Sequence, residues 1–163
     1  MFRKMRRSRQ SLEIGEITEI LERNEYGVLS VMGDMGYPYG VPVNYVFHEG
    51  AVYFHCAREG HKLDAVRNNP KVSFCVVDAD EVDSEKLTAR YRSVIVFGKA
   101  VEVSDREEFK NALTAFGLKF NPDREKIKSE IRKDGPRTVL VKIMPEHMSG
   151  KEGLELLKER KRT

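Results

Sequence analysis

The sequence predicts an α+β fold in which a small six-stranded antiparallel β-barrel carries flanking helices. Six apolar runs with strand-like composition follow one another along the chain. Several of their connections are too short for a parallel crossover, which needs about a dozen residues, so neighbouring strands are expected to be antiparallel. Closing such a sheet into a barrel hides its edges. No repeat or linker divides the chain, so residues 1–163 are expected to form one domain.

Composition narrows the classes of function. The formal net charge is +3, with 29 basic and 26 acidic residues, which argues against a dedicated nucleic-acid binder. No apolar run approaches the roughly 20 residues of a membrane span. The basic N-terminal segment, residues 1–10, is followed by no apolar stretch and does not read as a signal peptide. Cys56 and Cys75 lie in strand-like runs, so reduced thiols and a cytoplasmic location are expected.

The first predicted element is a helix that begins after Ser11, which can serve as its N-cap. Glu13 and Glu16 lie near its N-terminus, the positive end of the helix dipole. Asn24 and Gly27 indicate where the helix ends. One apolar face is expected from Ile14, Ile17, Ile20 and Leu21.

Three strands are predicted next, over Gly27–Gly33, Val41–Phe47 and Ala51–Ala57, with a loop at Asp34–Gly40. A tight "HEG" connection joins the second strand to the third.

The middle of the chain predicts a short helix from His61 to about Asn68, ended by "NNP". A fourth strand follows at Lys71–Val77, and the acidic stretch Asp78–Lys86 reads as a loop. A long fifth strand covers Tyr91–Val103, with Gly98 as a bulge or bend.

The last third predicts two helices, a strand and a tail. Ser104-x-x-Glu107 has the pattern of a capping box for a helix through about Leu118. This helix presents Phe109, Leu113 and Phe116 on one face, and a second helix is expected over 124–132. The sixth strand, Arg137–Pro145, is expected to stop at its proline. Residues 150–163 are expected to form a helical tail, in which a polar, charged helix runs from Gly153 onward.

The stretch "AVYFHCAREGHK" contains most of the potentially reactive side chains, and it allows three interpretations. Side chains alternate across a strand, so His55 and Cys56 point to opposite faces and cannot form a nucleophile–base pair with each other. A zinc site would need a second ligand pair downstream, and none is present, so no metal is expected. The third reading is an anion site where His61 and Lys62 open a helix after Gly60. A solvent-facing lysine at an ordinary helix start remained the alternative.

The order of motifs along nearly the whole chain resembles the FMN-binding split-barrel superfamily typified by pyridoxamine 5′-phosphate oxidase. Within it, the chain is most similar to the nitroimidazole-reductase-like branch. The segments that carry this resemblance are "MRRSR" (5–9), "GHK" (60–62), "NP" (69–70), "YRSVIVFGKA" (91–100) and "GK" (150–151), together with "VPVNYV" (41–46).

The resemblance implies a split barrel that binds FMN at a homodimer interface. It implies that "VPVNYV" runs along the isoalloxazine, that the end of "YFHCA" forms the next contact, and that "HK" grips the phosphate. It also implies that Ser93 approaches from the partner subunit. The implicated cofactor-binding residues are Val41, Pro42, Val43, Asn44, His55, Cys56, Ala57, His61, Lys62 and Ser93. His55 is the implied catalytic residue, because members of that branch carry a histidine close to the ring.

The expected function is therefore a flavin-dependent oxidoreductase of a small molecule, with NAD(P)H as a possible electron donor. The chain ends in "GKEGLELLKERKRT" and lacks the Arg-Leu-x-Pro type ending of authentic pyridoxamine phosphate oxidases. The resemblance is therefore not taken to imply the reaction of those oxidases. The alternatives are a non-catalytic flavin-binding or sensing protein and a nucleic-acid-binding barrel. A deazaflavin or haem in the same cleft is a variant of the first reading.

Overall fold

The computed structural model describes residues 1–160, which form one antiparallel sheet with helices around it. The strands are β1 (Tyr26–Met32), β2 (Pro38–Asn44), β3 (Val46–His48), β4 (Ala51–Ala57), β5 (Lys71–Asp83), β6 (Thr88–Glu102) and β7 (Thr138–Glu152). The α-helices are α1 (Ile14–Arg23), α2 (His61–Asn68), α3 (Arg106–Phe120), α4 (Arg124–Asp134) and α5 (Leu154–Arg160). The α+β class and the antiparallel sheet are confirmed.

The sheet has seven strands in the order β2-β1-β5-β6-β7-β4-β3, where six were predicted. The predicted strand 41–47 breaks at Tyr45, so that β2 pairs with β1 while β3 pairs with β4. These two strands lie at opposite ends of the sheet although one residue joins them. The sheet must therefore curve until its ends meet, and no hydrogen-bond ladder joins β2 to β3 among residues 1–160. The sheet is not closed, and this arrangement is consistent with the predicted split barrel.

Two strand boundaries also differ from prediction. The acidic stretch 78–86 is largely a hairpin rather than a loop, because β5 continues to Asp83 and Glu81 pairs with Arg90 across the strands at 3.3 Å. β7 runs through Pro145 to Glu152, since a register shift beside Gly98 absorbs the proline. The bulge predicted at Gly98 is confirmed, and a Cβ there would overlap the Met144 carbonyl oxygen.

The helix predicted from Gly153 onward is present, but the first residues of the predicted helical tail 150–163 are not helical. Residues 150–152 belong to β7, α5 starts at Leu154, and residues 161–163 lie outside the described part of the chain.

Two predicted N-caps are wrong by one or two residues. Glu13, not Ser11, caps α1, in a reciprocal capping box with Glu16. Ser11 is extended instead and forms a bridge with β7. Asp105, not Ser104, caps α3 and accepts the Glu108 N–H at 2.7 Å. In both helices, an acidic residue one or two positions after the predicted serine is the N-cap.

The main core fills the inside of the barrel. Helix α1 contributes Ile17, Ile20 and Leu21, all buried, whereas Ile14 of its predicted apolar face is exposed. A second cluster lies on the other side of β3 and β4, where α3 packs over Tyr53 and its neighbours. The predicted apolar face of α3, residues Phe109, Leu113 and Phe116, makes this contact.

Ionic contacts fix the termini to the barrel. The Glu152 side chain is fully buried, and Arg160 of α5 approaches one of its oxygens at 2.7 Å while Arg92 approaches the other at 3.4 Å. Asp78, on β5, receives two hydrogen bonds from Arg23 at the end of α1, at 2.6 and 2.8 Å. These contacts hold α1 and α5 against the β5–β6–β7 part of the sheet.

Candidate functional site

His55 and Cys56 occupy the end of β4 and face opposite sides of the sheet. The Cys56 side chain packs against the main core, next to the interior strand residues. The His55 imidazole faces α3, where it meets the Phe116 ring edge-on with centroids 4.9 Å apart. Strand alternation therefore separates the two side chains as expected, and they cannot act together as a nucleophile and its base.

Lys62, in the first turn of α2, lies within electrostatic reach of both side chains. Burial lowers the pKa of His55, and the positive charge of Lys62 lowers it further. Burial raises the pKa of the Cys56 thiol, although Lys62 opposes this effect. At neutral pH the imidazole is uncharged, with one donor and one acceptor nitrogen, and the thiol is protonated and unreactive.

The start of α2 has the backbone geometry of an anion cradle. Gly60 has φ +130°, and the space beside its Cα is open. Its carbonyl accepts hydrogen bonds from the N–H groups of Leu63 and Asp64, whereas the two preceding N–H groups have no partner within the helix. Free N–H groups, a lysine and open space fit a phosphate.

His61 is tied to the turn between β1 and β2. Its ring stacks on Tyr39 with centroids 4.2 Å apart and an interplanar angle of 12°. Its Nε2 accepts the Asp34 N–H at 3.4 Å and lies 3.7 Å from the Asp34 carboxylate. Only Nδ1 is left to meet an anion, so His61 is placed mainly to fix α2 against β2.

The residues predicted on β2 divide between the two faces of an edge strand. Val41 and Val43 pack against the main core, whereas Pro42 and Asn44 are exposed. Because β2 is at the end of the sheet order, the backbone of its outer edge is free of ladder partners among residues 1–160. Ala57 is also exposed, at the last position of β4. A ligand beside β2 would therefore find backbone polar groups as well as side chains.

Ser93 lies elsewhere, on β6, opposite Val77 and Lys151. It lines a cavity of about 860 Å³ that contains none of the other predicted site residues. The basic N-terminal segment forms one wall of this cavity, because Phe2 stacks on His147 with centroids 4.7 Å apart.

The sheet face beside Ser93 is apolar and open to solvent. Val28, Val77, Ile95 and Phe97 are each between 37% and 55% exposed, on neighbouring strands β1, β5 and β6. Adjacent exposed apolar side chains on a sheet mark an interaction surface.

A third feature, which the sequence did not reveal, is a pocket of about 340 Å³ between His55 and the α3–α4 hairpin. Its walls include Leu113, Phe116, Phe120 and Ile131. The apolar face of α3 indicated that this helix packs against the sheet. The position of α4 over His55 depends on contacts distant in sequence, so the sequence did not reveal the pocket.

Within residues 1–160, no cluster of three or more His, Cys, Asp or Glu side chains could hold a metal ion. No helix in the same part of the chain is both long and apolar enough to cross a membrane.

Solved structures support this architecture. A conserved hypothetical protein from Mycobacterium tuberculosis matches with a TM-score of 0.81 at 20% identity, over 94% of this chain and 92% of the other. A candidate 5-nitroimidazole antibiotic resistance protein from Bacteroides thetaiotaomicron matches with a TM-score of 0.72 at 19% identity, over 87% and 86%. An FAD-binding protein from Mesorhizobium loti matches with a TM-score of 0.62 at 26% identity, over 88% and 97%.

Comparison of sequences gives two further results. No functionally curated protein matches the chain. The sequence model of the family described as pyridoxamine 5′-phosphate oxidase matches residues 13–152, which is most of the chain, including all seven strands. The chain therefore belongs to the pyridoxamine 5′-phosphate oxidase family.

Proposed function

We propose that this protein is an FMN-binding oxidoreductase of a small molecule, with the flavin held at a homodimer interface. One observation carries the proposal: an open anion cradle with Lys62 at the start of α2 stands next to the uncharged His55 at the end of β4. Family membership and the flavin-binding names of several similar structures support it. FMN suits the cradle because it ends in a single phosphate.

The arrangement of the predicted residues favours a dimer. Ser93 and its cavity lie apart from the α2–β4 surface, so a single copy does not enclose a flavin with all of them. A two-fold pair would bring the α2–β4 surface of one copy to the Ser93 cavity of its partner. The same pairing would cover the exposed apolar side chains around Ile95 and Phe97.

Within this proposal, bound FMN supplies hydride and electron transfer, and the protein supplies position and proton handling. Lys62 and the first N–H groups of α2 bind the phosphate. The exposed edge of β2, from Val41 to Asn44, offers backbone groups to the ring. The uncharged His55 can donate a hydrogen bond to the ring or to a substrate through its N–H, and its second nitrogen can accept a proton.

The primary test is the absorption spectrum of freshly purified protein, followed by mass identification of any released cofactor and titration with FMN. Micromolar or tighter binding is expected, and failure to bind FMN at micromolar concentrations would refute the proposal. Turnover with NADH or NADPH and an acceptor separates an enzyme from a non-catalytic flavin-binding protein. We further propose a cytoplasmic location, which the free thiols of Cys56 and Cys75 support.

The dimer has its own test. Ile95→Glu places a charge on the exposed sheet face beside Ser93, whereas Val82→Glu adds the same charge at a more exposed position of the β5–β6 hairpin. Light scattering should show a dimer for the parent and for Val82→Glu, and a monomer with weakened FMN binding for Ile95→Glu. A parent protein that is monomeric with FMN bound would contradict the proposed interface.

A further inference from the structure

The pocket between His55 and the α3–α4 hairpin has the features of a small-molecule site. Its volume of about 340 Å³ falls at the lower end of the range for ligand pockets. Leu113 and Phe116 of α3, Phe120 at the end of α3, and Ile131 of α4 provide apolar walls. His55 is the one predicted site residue that lines it.

The two helices come close together at one defined contact. Gly117 of α3 faces Ile127 of α4 so closely that a Cβ on the glycine would lie 2.8 Å from the isoleucine side chain. Ile127 is buried, whereas Phe120 beside it is 44% exposed. The hairpin is therefore closed at Gly117 and leaves apolar surface uncovered beside His55.

The charges around the pocket favour an uncharged ligand. Lys126 and Glu130, which lie one helical turn apart on α4, carry opposite charges. Asp134 is paired with Arg137. The pKa of His55 is lowered by burial and by Lys62, so the imidazole carries no charge at neutral pH. The lining therefore carries no excess of either sign, and an ion would lose hydration against the apolar walls.

We propose that this pocket binds a neutral, flat aromatic molecule whose single polar group hydrogen-bonds to His55. Because His55 is also assigned to the flavin site, this inference rests on the proposed function: it identifies the class of substrate as a neutral aromatic compound presented to that site. The aromatic ring would lie against Phe116 and Phe120, and the polar group would meet the imidazole.

The test uses 1-naphthol and naphthalene as matched fluorescent probes, which is practical because the chain contains no tryptophan. One 1-naphthol should bind per chain, about fivefold more tightly than naphthalene, as expected for one hydrogen bond. His55→Phe should abolish that difference while leaving naphthalene binding in place. 1-Naphthalenesulfonate should bind at least about tenfold more weakly, since its charge is not compensated. Equal binding of the sulfonate, or no saturable binding of 1-naphthol, would overturn the proposal.

A second experiment fills the pocket with a larger side chain. Ile131→Trp should weaken 1-naphthol binding by at least about tenfold, whereas Val82→Trp, an exposed control, should leave it unchanged. Phe120→Ala serves if the first variant does not fold, and should also weaken binding. FMN affinity is measured on the same samples. Normal FMN binding with no effect of either pocket substitution on 1-naphthol refutes the pocket alone. Loss of FMN binding with intact 1-naphthol binding refutes the flavin proposal and leaves the pocket standing.

Discussion

Lys62→Ala tests whether the start of α2 binds a phosphate. A hydrogen bond to a charged group contributes about 1.5–3 kcal/mol, and the partial exposure of Lys62 places the expected loss near the lower limit. At about 1.4 kcal/mol per tenfold change, the Kd for FMN should rise about tenfold. Riboflavin lacks the phosphate, so its Kd should change by less than about twofold. Flavin fluorescence titration measures both constants on the same protein.

The same substitution has a readout that needs no flavin. Removing the positive charge should raise the pKa of His55 towards its ordinary value, while burial keeps it below that value. An NMR titration of the imidazole protons measures this shift. Lys110→Ala, on the exposed side of α3, is the matched control and should change neither affinity nor pKa. Equal losses of FMN and riboflavin affinity, or an unmoved His55 pKa, would refute the assigned position of Lys62.

Three further predictions concern stability and are measured by urea unfolding. Glu152→Ala leaves Arg160 without its buried partner and should lower the free energy of unfolding by about 2–3 kcal/mol; a loss below about 1 kcal/mol would contradict this. Gly98→Ala should cost about 1–3 kcal/mol through overlap with a backbone carbonyl, whereas Gly15→Ala, with open space in α1, should stabilise by up to about 1 kcal/mol. Burial raises the pKa of Asp78, but the hydrogen bonds from Arg23 and Asn24 outweigh burial, so the pKa is lowered overall. The stability that Asp78 contributes should therefore be lost as the pH falls below about 4. Asp78→Asn should reduce this loss of stability in acid.

The parts of the fold that follow from local patterns were predictable. Strand alternation placed His55 and Cys56 on opposite faces, and the structure shows the first against α3 and the second against the core. Glycine at position 98 indicated a bulge, and the register shift is there. The apolar spacing of α3 identified its buried face. Each of these rests on a period or a steric rule that neighbouring residues determine.

The parts that depend on distant contacts were not predictable. The run from Val41 to Phe47 is rich in β-branched and aromatic residues and reads as one strand, yet the strand breaks at Tyr45. The Tyr45 ring is drawn into the core against Phe74, with centroids 4.9 Å apart, and Lys119 of α3 donates to the Tyr45 carbonyl at 3.2 Å. Neither partner is near in sequence.

The break at Tyr45 also explains why the candidate site lies where it does. Joining the two edge strands through one buried residue brings the ends of the sheet together without a ladder between them, so β2 keeps a free backbone edge. Stacking of His61 on Tyr39 then sets α2 beside that strand, and Lys62 follows at the next position. A free strand edge can pair with another chain and cause aggregation unless something covers it. A flavin and a partner subunit would cover it here, and for that reason the cofactor and the dimer interface are one proposal rather than two.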